Sequence, residues 1–259
     1  MKPLFSNLRH ILPRIKKSDR ILLFLDYDGT LTPIVKRPGD AILSKRARAT
    51  LKALSNNKKA VISVVTGRVL CQIKKLIRLK GIYYAGCHGL EFKKRNKGSM
   101  QPVAKKSKKT IRAIKKRLIR GLKGISSYEI EDKGIILALH YRRVKRRDLA
   151  RLRKVFREAT APYNKRIKIA KGKKVFEVRP PVDWDKGRYC QGLLKAVRRK
   201  GERILPIYIG DDVTDEAAFK ALKSKGITVF VKGEKKSSLA EYYVDSVREV
   251  IKFLDILSG

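Results

Sequence analysis

Four of the seven residues in segment 210–216 are acidic, although acidic residues number only 23 among the 259 of the chain. They are Asp211, Asp212, Asp215 and Glu216, and they follow an apolar run that is typical of a buried strand. Carboxylates this close repel one another unless a cation neutralises them. Their hard oxygen atoms suit Mg²⁺. The alternative is an acidic helix N-terminus, which the helix dipole favours.

A second acidic pair, Asp26 and Asp28, follows the apolar run Ile21–Leu25, and Gly29 allows a sharp turn after it. A carboxylate beside Mg²⁺ is able to attack phosphorus and form an acyl phosphate. A second carboxylate two residues further on is able to protonate the leaving oxygen and then activate water. The pair therefore points to phosphoryl transfer, although Asp-x-Asp alone is a weak signal.

Phosphoryl transfer also needs a hydroxyl donor and a cation that neutralise the transferred oxygens. Thr66 follows the apolar run Ala60–Val65 in a Thr-Gly-Arg sequence, and Lys186 lies in an Asp-Lys-Gly sequence. These two residues are the best-placed candidates. The order of all four motifs along the chain is a much more specific signal than any one of them.

The elements that must position these residues alternate between apolar strands and helices in both terminal parts of the chain. Strands are predicted at 21–25, 60–65, 82–85, 204–209 and 228–231, and helices at 44–56, 69–79, 187–200 and 214–223. Such alternation predicts right-handed βαβ units and a parallel sheet. The strands of such a sheet bring their carboxyl ends to one edge, where ligands bind. The predicted fold class is therefore α/β with a Rossmann-like core.

The middle of the chain has a different pattern, with helix, strand, strand, helix, strand, strand in that order. These elements are predicted at 108–120, 128–132, 135–141, 147–160, 166–170 and 174–178. Lys133-Gly134 and Lys171-Gly172 are the expected hairpin turns. The αββαββ order predicts an α+β domain inserted into the core. We expect core segments 1–97 and 183–259 around an inserted cap domain at 98–182.

The chain has 65 lysines and arginines and a formal net charge of +42. Residues 93–182 hold 31 of these cations against 6 acidic residues. Three explanations stay open: a solvated lysine-rich surface, attraction of a phosphorylated substrate, or nucleic-acid binding. Aromatic residues are sparse in the charged runs and no nucleic-acid recognition motif is present. We therefore expect no specific nucleic-acid partner, while non-specific polyanion binding stays open.

Other classes of protein are disfavoured by the sequence. No apolar stretch reaches 18 residues, so we expect no membrane partner. The first 20 residues lack the apolar core of a secretory signal and predict a basic amphipathic helix that docks on the domain. The three cysteines are far apart and indicate neither a disulfide framework nor a zinc site. We expect a cytoplasmic monomer.

The four motifs resemble those of the haloacid-dehalogenase superfamily of phosphatases, and the inserted domain resembles its cap of the second type. The resemblance implies that Asp26 is the nucleophile, Asp28 the general acid and base, and Thr66 and Lys186 the phosphoryl-binding residues. It further implies a Mg²⁺ cofactor. The residues implied to hold it are Asp26, the main-chain carbonyl of Asp28 and Asp211, with Asp215 in support and Asp212 either binding through water or orienting Lys186.

Within that superfamily the chain is most similar to the trehalose-6-phosphate phosphatase family. The similarity covers Asp26–Ile34, Gly86–Glu91, Ala138–Arg142, Gly172–Pro180 and Gly210–Glu216. The resemblance implies that Lys173, Glu177 and Arg179 contact the sugar and its phosphate, with His88 and Glu91 near the same cleft. A plain ion pair on a strand is the alternative for Glu177 and Arg179.

The expected activity is Mg²⁺-dependent hydrolysis of a small sugar phosphate, trehalose 6-phosphate, through an aspartyl-phosphate intermediate. One alternative is a related phosphatase acting on sucrose phosphate, mannosyl-phosphoglycerate or a hexose phosphate. A second is a basic polyanion-binding protein built on a phosphatase fold, and a third is a phosphotransferase or mutase. The chain lacks a glucosyltransferase domain, so we do not expect it to make its own substrate.

Overall fold

The computed structural model describes residues 1–94, 97–100, 102–172, 174–233 and 237–259. The chain divides into two compact units. The core unit consists of Met1–Ser99 and Trp184–Gly259, and the inserted unit consists of Met100–Asp183. No helix among the described residues is both long and apolar enough to cross a lipid bilayer.

The core unit alternates strands and helices before and after the insertion. Its first part contains β1 (Lys2–Pro3), α1 (Leu8–Lys16), β2 (Arg20–Leu25), α2 (Lys45–Asn56), β3 (Ala60–Val65), α3 (Leu70–Ile77), β4 (Tyr83–Gly86), β5 (Glu91–Lys94) and β6 (Lys97–Met100). The inserted unit contains α4 (Pro102–Gly121), β7 (Glu129–Asp132), β8 (Leu137–His140), α5 (Leu149–Thr160), β9 (Lys168–Gly172) and β10 (Val175–Arg179). The chain ends with α6 (Lys186–Val197), β11 (Ile204–Gly210), α7 (Glu216–Leu222), β12 (Ile227–Val231), β13 (Tyr242–Val244) and α8 (Val247–Ser258).

The core sheet has the strand order β1-β13-β12-β11-β2-β3-β4-β5-β6. The strands from β1 to β4 in this order are parallel, and β5 joins β4 in the antiparallel direction. Central strand β2 pairs with β3 on one side and with β11, far along the chain, on the other. The predicted α/β class with a parallel Rossmann-like core is confirmed.

Both faces of the core sheet are covered, as its parallel strands require. Successive side chains of β2 point to opposite faces, so Leu23 and Leu25 join one apolar cluster while Leu22 and Phe24 join the other. The first cluster includes buried residues of α1, α2, α3 and α8, and the second includes those of α6 and α7. Helix α1 docks through buried Ile11, as the sequence predicts.

The inserted unit is a four-stranded antiparallel sheet in the order β7-β8-β10-β9. Helices α4 and α5 share one apolar cluster with the sheet. The Phe156 ring of α5 stacks on Phe176 of β10 at a centroid distance of 4.6 Å. The element order is αββαββ, as predicted from the sequence.

Three local predictions are wrong. Strands β5 and β6 are absent from the prediction, and α4 begins at Pro102 rather than near 108. The second hairpin turns later than predicted, because Gly172 is still paired with Val175 in the sheet.

Candidate active site

The carboxyl ends of three neighbouring strands bring the motif residues to one edge of the core sheet. Asp26 follows β2, Thr66 follows β3 and Asp211 follows β11. Gly29, in the turn after β2, has a φ of 79°, which glycine adopts without strain. A β-carbon at Gly29 would overlap the Asp211 carboxylate. Glycine is therefore required both by the turn and by the approach of the second loop.

Lys186 lies between two buried carboxylates. Its Nζ donates hydrogen bonds to Asp26 Oδ2 and to Asp215 Oδ1, both at 2.7 Å, and its side chain is 1% exposed. Asp185 caps α6 by accepting from the Arg188 N–H, which fixes Lys186 as the first residue of the helix. Burial lowers the pKa of Lys186, but the two carboxylates raise it above the ordinary value for lysine. The ammonium group therefore stays charged.

Asp215 is fully buried, and both its oxygens accept hydrogen bonds. Oδ1 accepts from Lys186 and from the Tyr208 hydroxyl, and Oδ2 accepts from the backbone N–H groups of Asp211 and Asp212 at 3.1 and 2.9 Å. Asp212 in turn completes a capping box with Asp215 at the start of the helical turn that follows β11. It is Asp215, not Asp212, that hydrogen-bonds Lys186. With four donors on its carboxylate, Asp215 is suited to hold the loop in shape.

Asp26 and Asp211 are carboxylates whose ionisation is costly in the metal-free protein. Burial raises the pKa of Asp26 well above its ordinary value. Burial, together with the nearby Asp215, raises the pKa of Asp211 to about 7. Among the described residues, Asp26, Asp211 and Asp215 each place one carboxylate oxygen within 4.8 Å of the other two. A bound cation would remove the cost of ionising these neighbouring carboxylates, and carboxylate oxygens are ligands that suit Mg²⁺.

Asp28 forms an ion pair that sequence reasoning missed. Arg68 Nε donates to Asp28 Oδ2 at 2.7 Å, and Arg68 Nη2 donates to Oδ1, so the contact is bidentate. The Arg68 side chain is 8% exposed, whereas that of Asp28 is 40% exposed. The Arg68 guanidinium also lies 5.4 Å from the centroid of the Tyr27 ring. The Thr-Gly-Arg motif was visible in the sequence, but nothing there indicated this partner.

Thr66 is buried, and its Oγ1 accepts a hydrogen bond from the Arg68 backbone N–H at 3.2 Å. That contact uses the oxygen as an acceptor, so the hydroxyl proton is available to a ligand. His88 is half-buried with a φ of 58°, and its backbone N–H donates to the Thr66 carbonyl. Its ring lies against Gly67, where a β-carbon would be 2.8 Å from His88 Cε1. His88 therefore lies beside the Thr66 loop, and its role in substrate binding stays a prediction.

Two further residues were missed by sequence reasoning. Thr30 Oγ1 donates to Asp211 Oδ1 at 3.0 Å, and Tyr208 donates to Asp215. Thr30 belongs to a recognised motif, but Tyr208 lies in an apolar strand with no polar signal around it. Glu91 accepts a long hydrogen bond, 3.4 Å, from the Leu70 N–H at the start of α3.

Two of the substrate-binding candidates of the inserted unit lie on β10. Glu177 and Arg179, two residues apart on this strand, form an ion pair in which Arg179 Nε donates to Glu177 Oε2 at 2.8 Å. Both side chains are half-buried. Lys173 lies outside the described residues.

A family model described as "Trehalose-phosphatase" matches residues 24–248. Probable trehalose-phosphate phosphatase D of Arabidopsis thaliana is 34% identical over 253 residues, which is 93% of this chain and 68% of the relative. Trehalose-phosphate phosphatase B of the same plant is 33% identical, over 93% of this chain and 67% of the relative.

Among solved structures, the C-terminal domain of Candida albicans trehalose-6-phosphate phosphatase superposes with a TM-score of 0.77. That comparison covers 100% of this chain and 98% of the fungal domain, at 25% identity. These findings confirm the resemblance to the haloacid-dehalogenase superfamily. Since the family model spans both parts of the core and the insertion between them, the chain belongs to the trehalose-phosphatase family, whose members are phosphoric monoester hydrolases.

Proposed function

We propose that this protein hydrolyses trehalose 6-phosphate to trehalose and phosphate, with Mg²⁺ as cofactor and an aspartyl phosphate on Asp26 as intermediate. The observation that carries the proposal is the buried contact of Asp26 with Lys186, beside Asp211 and Thr66, in a chain of this family. Phosphoryl transfer needs a nucleophile, fixed cations and hydroxyl donors at one point, and these side chains supply them.

Asp26 is the proposed nucleophile. One of its oxygens accepts from Lys186 and the other accepts from the Tyr27 N–H at 2.7 Å, so the carboxylate has a fixed orientation. In the first step an Asp26 oxygen forms a bond to phosphorus while the bond from phosphorus to the sugar oxygen breaks. Lys186 and the Thr66 hydroxyl stabilise the charge on the phosphoryl oxygens.

Asp28 is the proposed general acid and base. It gives a proton to the departing sugar oxygen, then takes one from the water that hydrolyses the acyl phosphate. Its side chain is more exposed than that of Asp26, and its bidentate contact with Arg68 limits where the carboxylate points. Arg68 is thus a positioning residue for Asp28.

Mg²⁺ is proposed to bind to the Asp26 and Asp211 carboxylates and to the main-chain carbonyl of Asp28. When bound, it neutralises the carboxylates and withdraws charge from a phosphoryl oxygen. Asp215 supports the site by holding the loop and Lys186, because its own oxygens already accept four hydrogen bonds. Asp212 supports it through the capping box.

His88, Glu91, Lys173, Glu177 and Arg179 are proposed to bind the sugar phosphate. Carboxylates hold sugar hydroxyls and cations hold phosphate, and the half-buried Glu177–Arg179 pair offers both groups. Substitution of either residue is expected to raise KM for trehalose 6-phosphate more than it lowers kcat.

We also propose a cytoplasmic monomer. None of the three cysteines forms a disulfide, and two of them, Cys87 and Cys190, are buried, which is compatible with a reducing compartment. Light scattering after size exclusion would test the monomeric state.

The decisive assay measures phosphate release from trehalose 6-phosphate, glucose 6-phosphate and sucrose 6-phosphate, with and without Mg²⁺. We expect a Mg²⁺-dependent preference for trehalose 6-phosphate. Similar weak rates on all three substrates would support a sugar phosphatase but contradict trehalose 6-phosphate as its specific substrate. Release from none of them would favour the polyanion-binding alternative.

Asp26→Asn tests the nucleophile. An amide cannot form the acyl phosphate, so we expect kcat to fall by at least about 10³-fold, a barrier increase of roughly 4 kcal/mol. Asp40→Asn, at an exposed residue of the same unit, is the matched control and should retain full activity. If Asp26→Asn kept more than about a tenth of the wild-type rate, the assignment would be wrong.

A further inference from the structure

The amino ends of the parallel strands form the edge of the core sheet opposite the candidate active site. Five loops lead into neighbouring strands β12, β11, β2, β3 and β4, and we call them together the basic edge. They are residues 17–19, 57–59, 78–82, 198–203 and 223–226. They contain eleven cationic residues and two carboxylates, Asp19 and Glu202. The cations, all exposed, are Lys17, Lys58, Lys59, Arg78, Lys80, Arg198, Arg199, Lys200, Arg203, Lys223 and Lys225.

Both carboxylates of the basic edge are already engaged. Asp19 accepts from the Arg203 backbone N–H at 2.8 Å and from its guanidinium at 3.3 Å. Glu202 accepts from Arg20 at 2.6 Å and from the Arg199 N–H at 3.0 Å. Apart from Arg203, none of the eleven cations forms an ion pair with a described residue. The edge therefore carries a large uncompensated positive charge.

The charge is arranged in a row. Neighbouring strands lie about 4.8 Å apart, so the five loops extend over roughly 19 Å from β12 to β4. Two grooves open along this row, of about 630 and 710 Å³. Ligand pockets commonly hold about 300 to 1,000 Å³, so each groove has room for a nucleotide-sized group. Arg198 and Arg199 line both grooves and make the surface continuous.

The lining of the grooves indicates what kind of polyanion fits. The first groove combines Lys195, Arg198, Arg199, Lys200 and Lys225 with apolar side chains, and it contains no carboxylate. The second adds Asn56, Asn57 and the half-buried ring of Tyr83. Cations bind phosphates in a chain, while an aromatic face and amides also offer contacts to a base or a sugar. A single aromatic residue is too few to read a base sequence.

We propose that the basic edge binds the phosphate backbone of single-stranded nucleic acid without sequence preference. The edge is on the opposite side of the sheet from the phosphatase site, so the binding is separate from catalysis. Nucleic-acid binding is expected to stabilise the folded protein as well, because the phosphates neutralise the like charges on this edge.

The test measures binding of a fluorescein-labelled single strand of about 20 nucleotides by anisotropy, from roughly 50 to 200 mM salt. The wild-type affinity should fall steeply with salt, because counterions are released from the phosphates. Combined replacement of Arg198→Gln, Arg199→Gln and Lys200→Gln should weaken binding at least tenfold at 100 mM salt. The slope of log affinity against log salt should also become shallower by about 2, since each lost phosphate contact removes roughly 0.7.

The matched control is the combination Arg153→Gln, Lys154→Gln and Arg157→Gln on exposed positions of α5, which removes the same charges from the inserted unit. It should leave affinity and slope within about twofold of wild type. Equal losses from both triple variants would overturn the proposal, because binding would then follow net charge alone. If the protein bound inorganic polyphosphate with the same number of phosphates and did not bind the oligonucleotide, the choice of nucleic acid as the ligand would be overturned. Phosphatase rates of both variants should match wild type, so this result is independent of the proposed function.

Discussion

The two carboxylates of the Asp-x-Asp motif lie two residues apart and in opposite environments. Asp26 is buried in a cluster with Lys186 and Asp215, where every charge is fixed by short hydrogen bonds. Asp28 is 40% exposed, and in the described part of the chain its carboxylate pairs with Arg68 alone. The difference matches the two tasks that we propose, because a nucleophile must be fixed in line with phosphorus while an acid and base must exchange protons with substrate and water.

The largest effect is expected from breaking the buried cluster. Lys186→Met leaves two uncompensated carboxylates in the interior, so we expect a loss of about 3–5 kcal/mol in the free energy of unfolding. The same change should lower kcat/KM by at least about 10³-fold. Chemical denaturation and steady-state kinetics would measure both. Lys195→Met, on an exposed position of the same helix, is the control. A stable, active Lys186→Met protein would contradict the role of the cluster.

Breaking the pair of exposed Asp28 with buried Arg68 should cost activity but little stability. Arg68→Met removes the bidentate contact that orients Asp28, and we expect kcat to fall about 10–100-fold. Since Asp28 remains solvated, unfolding should become easier by only about 1 kcal/mol. Arg68→Lys keeps the charge but loses the planar fork, so it should restore stability more than kcat. A change in KM alone would show that Arg68 acts on substrate binding instead.

The pH dependence of the metal-free protein would sharpen the comparison. The pKa of Asp211 is about 7 in the folded state against an ordinary value of 3.8, so the folded protein holds this proton where the unfolded chain does not. Its contribution to stability is therefore fully present below pH 3.8 and is lost progressively as pH rises from there through about 7.

Asparagine cannot ionise and keeps the oxygen that accepts from Thr30. Asp211→Asn should therefore raise the melting temperature of the metal-free protein at pH 8, with little change near pH 4. Adding Mg²⁺ at pH 8 should stabilise the wild type and not the variant. Calorimetry at both pH values would measure this. A difference between the two proteins that did not change with pH would contradict the expectation.

The smallest effect is expected at the rim of the cluster. Tyr208→Phe removes one of four donors to Asp215 while keeping the ring that packs on Phe219. We expect a loss of about 1 kcal/mol in unfolding free energy and a few-fold loss in kcat. Thermal melts and kinetics would measure it. If Tyr208→Phe lowered the free energy of unfolding and kcat as much as Lys186→Met does, the Tyr208 hydroxyl would be essential to the cluster.

The sequence predicted the residues that follow apolar strands, because burial and strand direction both leave a pattern. Asp26, Thr66 and Asp211 each come directly after such a run, and the structure brings them to one edge. The partner of Arg68 could not be predicted, since a contact between two loops leaves no periodic signal. Tyr208 could not be predicted either, because its ring belongs to an apolar strand.

Two errors of the fold prediction have similar causes. Strands β5 and β6 contain charged residues and no apolar alternation; β5 pairs with β4 through the backbone, and β6 lies next to β5 at the end of the sheet. Helix α4 begins with Pro102, which is favourable in the first helical turn but reads as a breaker in a lysine-rich segment.

The pairing of β2 with β11 has a consequence for synthesis of the chain. Strand β2, which precedes Asp26, pairs with β11 about 180 residues further along the chain. While the ribosome makes the insertion, the side of β2 that later pairs with β11 therefore has no neighbouring strand. An unpaired apolar strand is a site for association with other chains. A nascent chain that stalls before residue 204 would hold Asp26 beside an unpaired strand, and the sheet and the candidate active site would close together only after Ile204–Gly210 has left the ribosome.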